Sequence, residues 1–120
     1  MMNQEAVHTL PVSMIPLGEI NGFPVRPGLY DINGATLLQN GVNFTVHTHY
    51  GTGCSLLLFH REEEEPYAVL PFPEEYKIGK VYSMIVFGLN IEDFEYAYSV
   101  DGPWNPARGL IFDKKKILLD

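Results

Sequence analysis

The chain has 120 residues, 46% of them apolar and 19% charged, which suits one globular domain and is short for a complete glycosidase, kinase or dehydrogenase. Fifteen acidic residues against eight basic ones leave a net charge of −7, and nucleic acid or an anionic membrane would repel such a chain. No apolar run approaches the roughly 20 residues needed to span a bilayer. The opening MMNQEAVHTLPV lacks the basic and apolar regions of a secretory signal, and a single cysteine, Cys54, excludes an internal disulfide framework and fits the cytoplasm.

In chain order, residues 1–25 read as a weakly structured lead-in with at most an edge segment. Residues 34–38 offer a weak strand, and Gln39-Asn40-Gly41 reads as a hairpin tip because Asn-Gly tolerates positive φ. Val42, Phe44 and Val46 then alternate with Asn43, Thr45 and His47, the period of a half-buried strand. CSLLLF, from Cys54 to Phe59, is a continuous apolar run of strand length, and 67–72 is another. The charged stretch 62–66 between them reads as a turn. Residues 80–87 carry apolar side chains on both faces, which predicts a central strand. Phe94, Tyr96, Tyr98 and Val100 alternate with Glu95, Ala97 and Ser99; Asp101-Gly102-Pro103 closes that strand, and 111–118 is a weaker one. Helical periodicity is nearly absent. Strands at such spacings predict an all-β, immunoglobulin-like antiparallel sandwich of about seven strands, without the usual cysteine staple.

Few residues suggest chemistry. His47-x-His49 puts two imidazoles on one strand face, but nothing obvious completes a metal site, so strand-end polarity is the expected role and no metal is assigned. The acidic stretches 62–65, 74–75 and 92–93 lie in turn-like sequence and read as solvated faces rather than catalytic pairs. Cys54 opens an apolar strand and reads as a buried thiol. Phosphate loops, dinucleotide fingerprints and nucleophile elbows are missing, so no cofactor is expected. Aromatic rings can stack on the C–H face of a sugar. Trp104, in a loop, and Tyr82, Tyr96 and Tyr98 are candidates for that contact, against core filling as the ordinary role of strand tyrosines.

The segment YAYSVDGPWNPARGLIFDKKKILLD resembles the end of the N-terminal domain of glycogen debranching enzymes of the isoamylase and pullulanase kind. Tyr96, Tyr98, Val100, Gly102, Pro103, Trp104, Asn105, Pro106, Gly109, Phe112, Lys116, Leu118, Leu119 and Asp120 carry the match. GATLLQNGVNFTVHT carries a second, through Gly34, Ala35, Thr36, Gly41, Val42, Asn43, Phe44 and Val46, and Cys54–Phe59 a third. Together they cover about 26–120 in family order. Ser99, Leu110-Ile111 and Asp113-Lys114 depart from the family pattern.

The resemblance implies a family-48 carbohydrate-binding module ahead of a (β/α)8 barrel of the family-13 glycoside hydrolases. In such enzymes the barrel holds the catalytic carboxylates and cleaves α-1,6 branch points of glycogen. It therefore implies that this chain is a non-catalytic piece of a longer enzyme, with the downstream barrel and an α-glucan as its partners. Arg108, Leu110, Ile111, Phe112, Leu118 and Leu119 are then candidates for packing on the barrel. Two alternatives stand beside this: an autonomous glucan-binding module, as in the β subunits of AMP-activated kinase, and an unrelated immunoglobulin-like interaction domain.

Overall fold

The structure is a computed structural model and describes residues 15–48 and 53–100. Nine strands follow one another: β1 Gly18–Ile20, β2 Phe23–Pro27, β3 Gly34–Leu37, β4 Gly41–His47, β5 Cys54–Phe59, β6 Ala68–Pro71, β7 Lys77–Ile78, β8 Val81–Phe87 and β9 Glu95–Val100. A single 3₁₀ turn, Glu74–Tyr76, precedes β7, and the described residues contain no α-helix. All pairings are antiparallel. The larger sheet has the order β1-β2-β8-β4-β3 with β7 also on β8, and the smaller has the order β6-β5-β9. This is the expected immunoglobulin-like sandwich, with nine strands among the described residues where the sequence reading places six. The weak strand at 111–118 and the turn at 101–103 lie outside the described residues.

Alternation decides which side chains face inward. Val42, Phe44 and Val46 of β4, Tyr82, Met84 and Val86 of β8, Leu56 and Leu58 of β5, and Tyr96 and Tyr98 of β9 meet in one core between the sheets. Phe44 packs edge-on to Phe94 and Tyr96 at centroid distances of 6.4 and 5.3 Å. The strand predicted as central, β8, does pair on both sides, with β2 and β7 on one flank and β4 on the other.

Three local outcomes differ from the sequence expectation. First, part of the lead-in is a hairpin: Asn21 (φ 50°) and Gly22 (φ 92°) turn between β1 and β2, the left-handed pair of a type I′ turn. Second, the 39–41 turn closes through Leu38 N–H donating to Gly41 O (2.8 Å) without positive φ at Asn40 or Gly41. Glycine is required at 41 because a Cβ would lie 2.8 Å from the Val86 carbonyl oxygen. Third, the polar face of β4 is not solvated. Asn43 and Thr45 are buried, because the chain leaving β2 crosses over them.

That crossing is fastened by hydrogen bonds. Leu29 N–H donates to Asn43 Oδ1 (2.8 Å), Thr45 Oγ donates to Leu29 O (3.0 Å), and Thr45 and Ser83 hydroxyls share a 2.6 Å bond. Gly28 allows the close approach: a Cβ there would overlap Ser83 Oγ and Asn43 Oδ1 and sit 2.7 Å from the Met84 nitrogen. Leu29 then packs on Leu38, Ile85 and Phe87, which face away from the main core. Burying polar groups this way is tolerable only because each is paired.

Candidate carbohydrate-contact surface

Antiparallel pairing sorts the loops into two ends. Register places the β1–β2 turn, the β3–β4 turn, the β5–β6 loop and the β8–β9 loop together at one end, since Gly41 opposes Phe87 and Phe59 opposes Glu95. At the other end Cys54 opposes Val100 and His47 opposes Val81.

The first end carries an exposed aromatic stack. His60 leaves β5 and lies on Tyr67 with ring centroids 4.1 Å apart and planes 13° apart. Phe23 of β2 flanks Tyr67 at 6.5 Å with tilted rings. Tyr67 is held by its own N–H, which donates to Leu58 O (2.8 Å), yet 40% of the residue remains exposed. His60 Nδ1 is 3.3 Å from Asp93 Oδ2, and the other Asp93 oxygen accepts the Arg61 N–H at 3.0 Å. Arg61 also donates through its guanidinium to Glu92 O (3.2 Å). Asp93 is itself placed by a turn in which its N–H donates to Asn90 O (3.0 Å). Partial burial, with Asp93 nearby as a second cause, raises the Tyr67 phenol above its ordinary pKa.

The same β8–β9 loop helps to form a cavity of about 350 Å3 against the β3–β4 turn, lined by Leu37, Leu38, Leu89 and Ile91 with the amides of Gln39 and Asn40 at hand. Apolar walls with a few polar groups are the usual make-up of a small-molecule site.

The tyrosines singled out from sequence sit elsewhere. Tyr82 is fully buried, tilted against Phe72 at 5.6 Å, with its hydroxyl donating to Glu74 Oε2 and Lys77 Nζ lying 5.5 Å from its ring centroid. Tyr96 is 6% exposed and packs on Phe44, with its hydroxyl in a hydrogen bond to the Ala35 backbone. Tyr98 packs between Tyr96 and Phe72; its hydroxyl is buried and finds no hydrogen-bond partner among the described residues, and burial drives its pKa far up. These three rings are core, and none offers an open face to a sugar. Trp104, Arg108, Leu110, Ile111, Phe112, Leu118 and Leu119 lie outside the described residues. So does His49, while His47 is exposed at the end of β4. Cys54 is buried as a thiol. Among the described residues, no three His, Cys, Asp or Glu side chains gather as a metal site would need.

Sequence reasoning missed Tyr67, His60 and Asp93. The apolar run 67–72 places Tyr67 in a strand, although it directly follows the charged 62–66 turn, where an aromatic has little protein left to cover it.

The family profile described as carbohydrate-binding module 48 (isoamylase N-terminal domain) matches residues 33–120. A protein named glycogen debranching enzyme from Serratia proteamaculans is 33% identical over 96 residues, which is 80% of this chain and 14% of that protein. A protein of the same name from Cronobacter sakazakii is 36% identical over 99 residues, 82% of this chain and 13% of its own length. Isoamylase SU1, chloroplastic, from Zea mays is 32% identical over 95 residues, 72% of this chain and 12% of its own. The chain thus spans a small fraction of the curated relatives it matches. On the profile match across most of its length, the chain belongs to the carbohydrate-binding module 48 (isoamylase N-terminal domain) family.

Proposed function

We propose that this chain is a non-catalytic accessory domain that contacts α-glucan and belongs, in function, with a debranching hydrolase that cleaves α-1,6 bonds on a separate catalytic barrel. The observation that carries the reading is the family match over 33–120, with relatives named glycogen debranching enzyme and isoamylase whose remaining length is several times this domain. In this reading Trp104 touches sugar, and Arg108, Leu110, Ile111, Phe112, Leu118 and Leu119 pack on the barrel, where a run of apolar groups would leave water. The sandwich has the form of a scaffold rather than an active site: the Glu74, Asp93 and Glu95 carboxylates all accept hydrogen bonds from the fold itself. A lone buried thiol supports a reducing, cytoplasmic setting.

Co-sedimentation of the 120-residue chain with glycogen tests this, with cellulose as the control polymer. The expected result is retention on glycogen alone and no reducing sugar released from it. Equal retention on both polymers, or on neither, removes the α-glucan assignment. Release of reducing sugar removes the non-catalytic one. Trp104 is the sole tryptophan, so a maltoheptaose-dependent change in indole emission reports directly on its part.

A further inference from the structure

We propose that the His60–Tyr67 stack, fixed by Asp93 at the loop end of the sandwich, is a glucan-contact platform; the proposal rests on the carbohydrate-binding reading above. A pyranose ring offers one face of C–H bonds and a rim of hydroxyls. A protein matches it with a flat π surface that is open, held still and edged with hydrogen-bonding groups.

The stack has each property. It is flat at its outer faces: the rings stack 13° apart at 4.1 Å, so each covers the inner face of the other and a sugar meets an outer one. It is open: 51% of the His60 side chain and 40% of Tyr67 face solvent. It is held, because Tyr67 is tied to β5 through Leu58 O, Phe23 flanks it, and Asp93 grips both His60 and the Arg61 backbone. Its edge carries the Tyr67 hydroxyl, the Asp93 carboxylate and the Arg61 guanidinium, the donor and acceptor types that sugar hydroxyls pair with.

A packing role does not account for it. The apolar interior is completed by Phe44, Phe94, Tyr96 and their neighbours, and a half-exposed imidazole on a half-exposed phenol adds little to stability. The surroundings also select the ligand class. Glu62, Glu63, Glu64, Glu65 and Glu92 are exposed around the loops that hold the stack, so an anionic partner is repelled and a neutral polyol is not.

The test is a maltoheptaose titration of the full 120-residue chain, read by calorimetry and by the carbon–proton resonances of the His60 ring, assigned from their loss in His60→Ala. Tyr67→Ala and His60→Ala should each weaken binding about fivefold, the size of one aromatic contact, and Tyr67→Phe should keep most of it. The His60 resonances should move on titrating the unaltered chain. If the chain binds with both alanine variants unchanged and the His60 signals still, the platform is wrong and the carbohydrate-binding reading survives. If maltoheptaose and glycogen both fail to bind, both fall. Should Tyr67→Ala unfold, the His60 signals of the unaltered chain decide alone: movement supports the platform, and stillness on saturation overturns it.

Discussion

The interior of this sandwich and its loop end use aromatic rings in opposite ways. Inside, Phe44, Tyr82, Tyr96 and Tyr98 are spent on filling space, each packed against at least one other ring. At the loop end, Tyr67 and His60 stack on each other and leave much of their surface in water. The difference teaches that in a small β domain of a carbohydrate-binding family, aromatic content says little about where a sugar would sit. Position relative to the strand period says more. Rings in phase with the inward face are committed to the core, and a ring just before the strand, at the loop, is available.

Truncating one ring from each region breaks or upholds the contrast most visibly. Phe44→Ala should cost about 3–5 kcal/mol, since it removes a fully buried ring and leaves a cavity. Tyr67→Ala should cost under about 1 kcal/mol. Urea unfolding followed by circular dichroism measures both, and similar losses would mean that Tyr67 belongs to the core after all.

Next in size is Asn43→Ala, expected to cost about 2 kcal/mol because it strands the Leu29 N–H beneath the crossing segment. A loss below about 0.5 kcal/mol would show that the outer face of the larger sheet is held by Leu29, Ile85 and Phe87 alone. Tyr98→Phe should go the other way. It deletes a buried hydroxyl that has no partner among the described residues, so stability should hold or rise by up to about 1 kcal/mol. The same variant sharpens the alkaline limb. Burial raises the Tyr98 pKa in the folded chain above its ordinary 10.0, so the unfolded chain loses that proton first and stability falls as pH climbs past about 10. Tyr98→Phe should make that fall shallower, with Tyr30, Tyr67, Tyr76 and Tyr96 still contributing to the rest.

Much of the fold was legible because continuous apolar runs mark β5, β6 and β8, and alternation with period two marks β4 and β9. Alternation also put Phe94, Tyr96 and Tyr98 on one face. It failed where a distant segment changed the environment. Asn43 and Thr45 alternate correctly and look like a wet face, but residues 28 and 29 dry it, and nothing local to β4 announces that. The β1–β2 hairpin is a different miss: Asn21-Gly22 between Ile20 and Phe23 is the same Asn-Gly pair as at 40–41, and positive φ occurs at 21–22 and not at 40–41. The candidate surface was the least legible part. It needs His60, Tyr67 and Asp93 from two loops at one end, and only the strand register brings those loops together.

The smallest expected effect bears on how separate the two regions are. Asp93 holds His60 and the Arg61 N–H, yet the His60 and Asp93 side chains are 51% and 45% exposed. Water competes for both contacts, so Asp93→Ala should lower global stability by only about 0.5 kcal/mol. Its signature should be local: faster hydrogen exchange at the Arg61 amide, with exchange at Phe44 and Met84 in the paired β4 and β8 unchanged, because those amides open only with the whole domain. A global loss above about 1.5 kcal/mol, or faster exchange at Phe44, would mean that the β5–β6 and β8–β9 loops unfold together with the core. The stack would then be part of the scaffold's own stability, and its exposure would no longer mark it as free for a ligand.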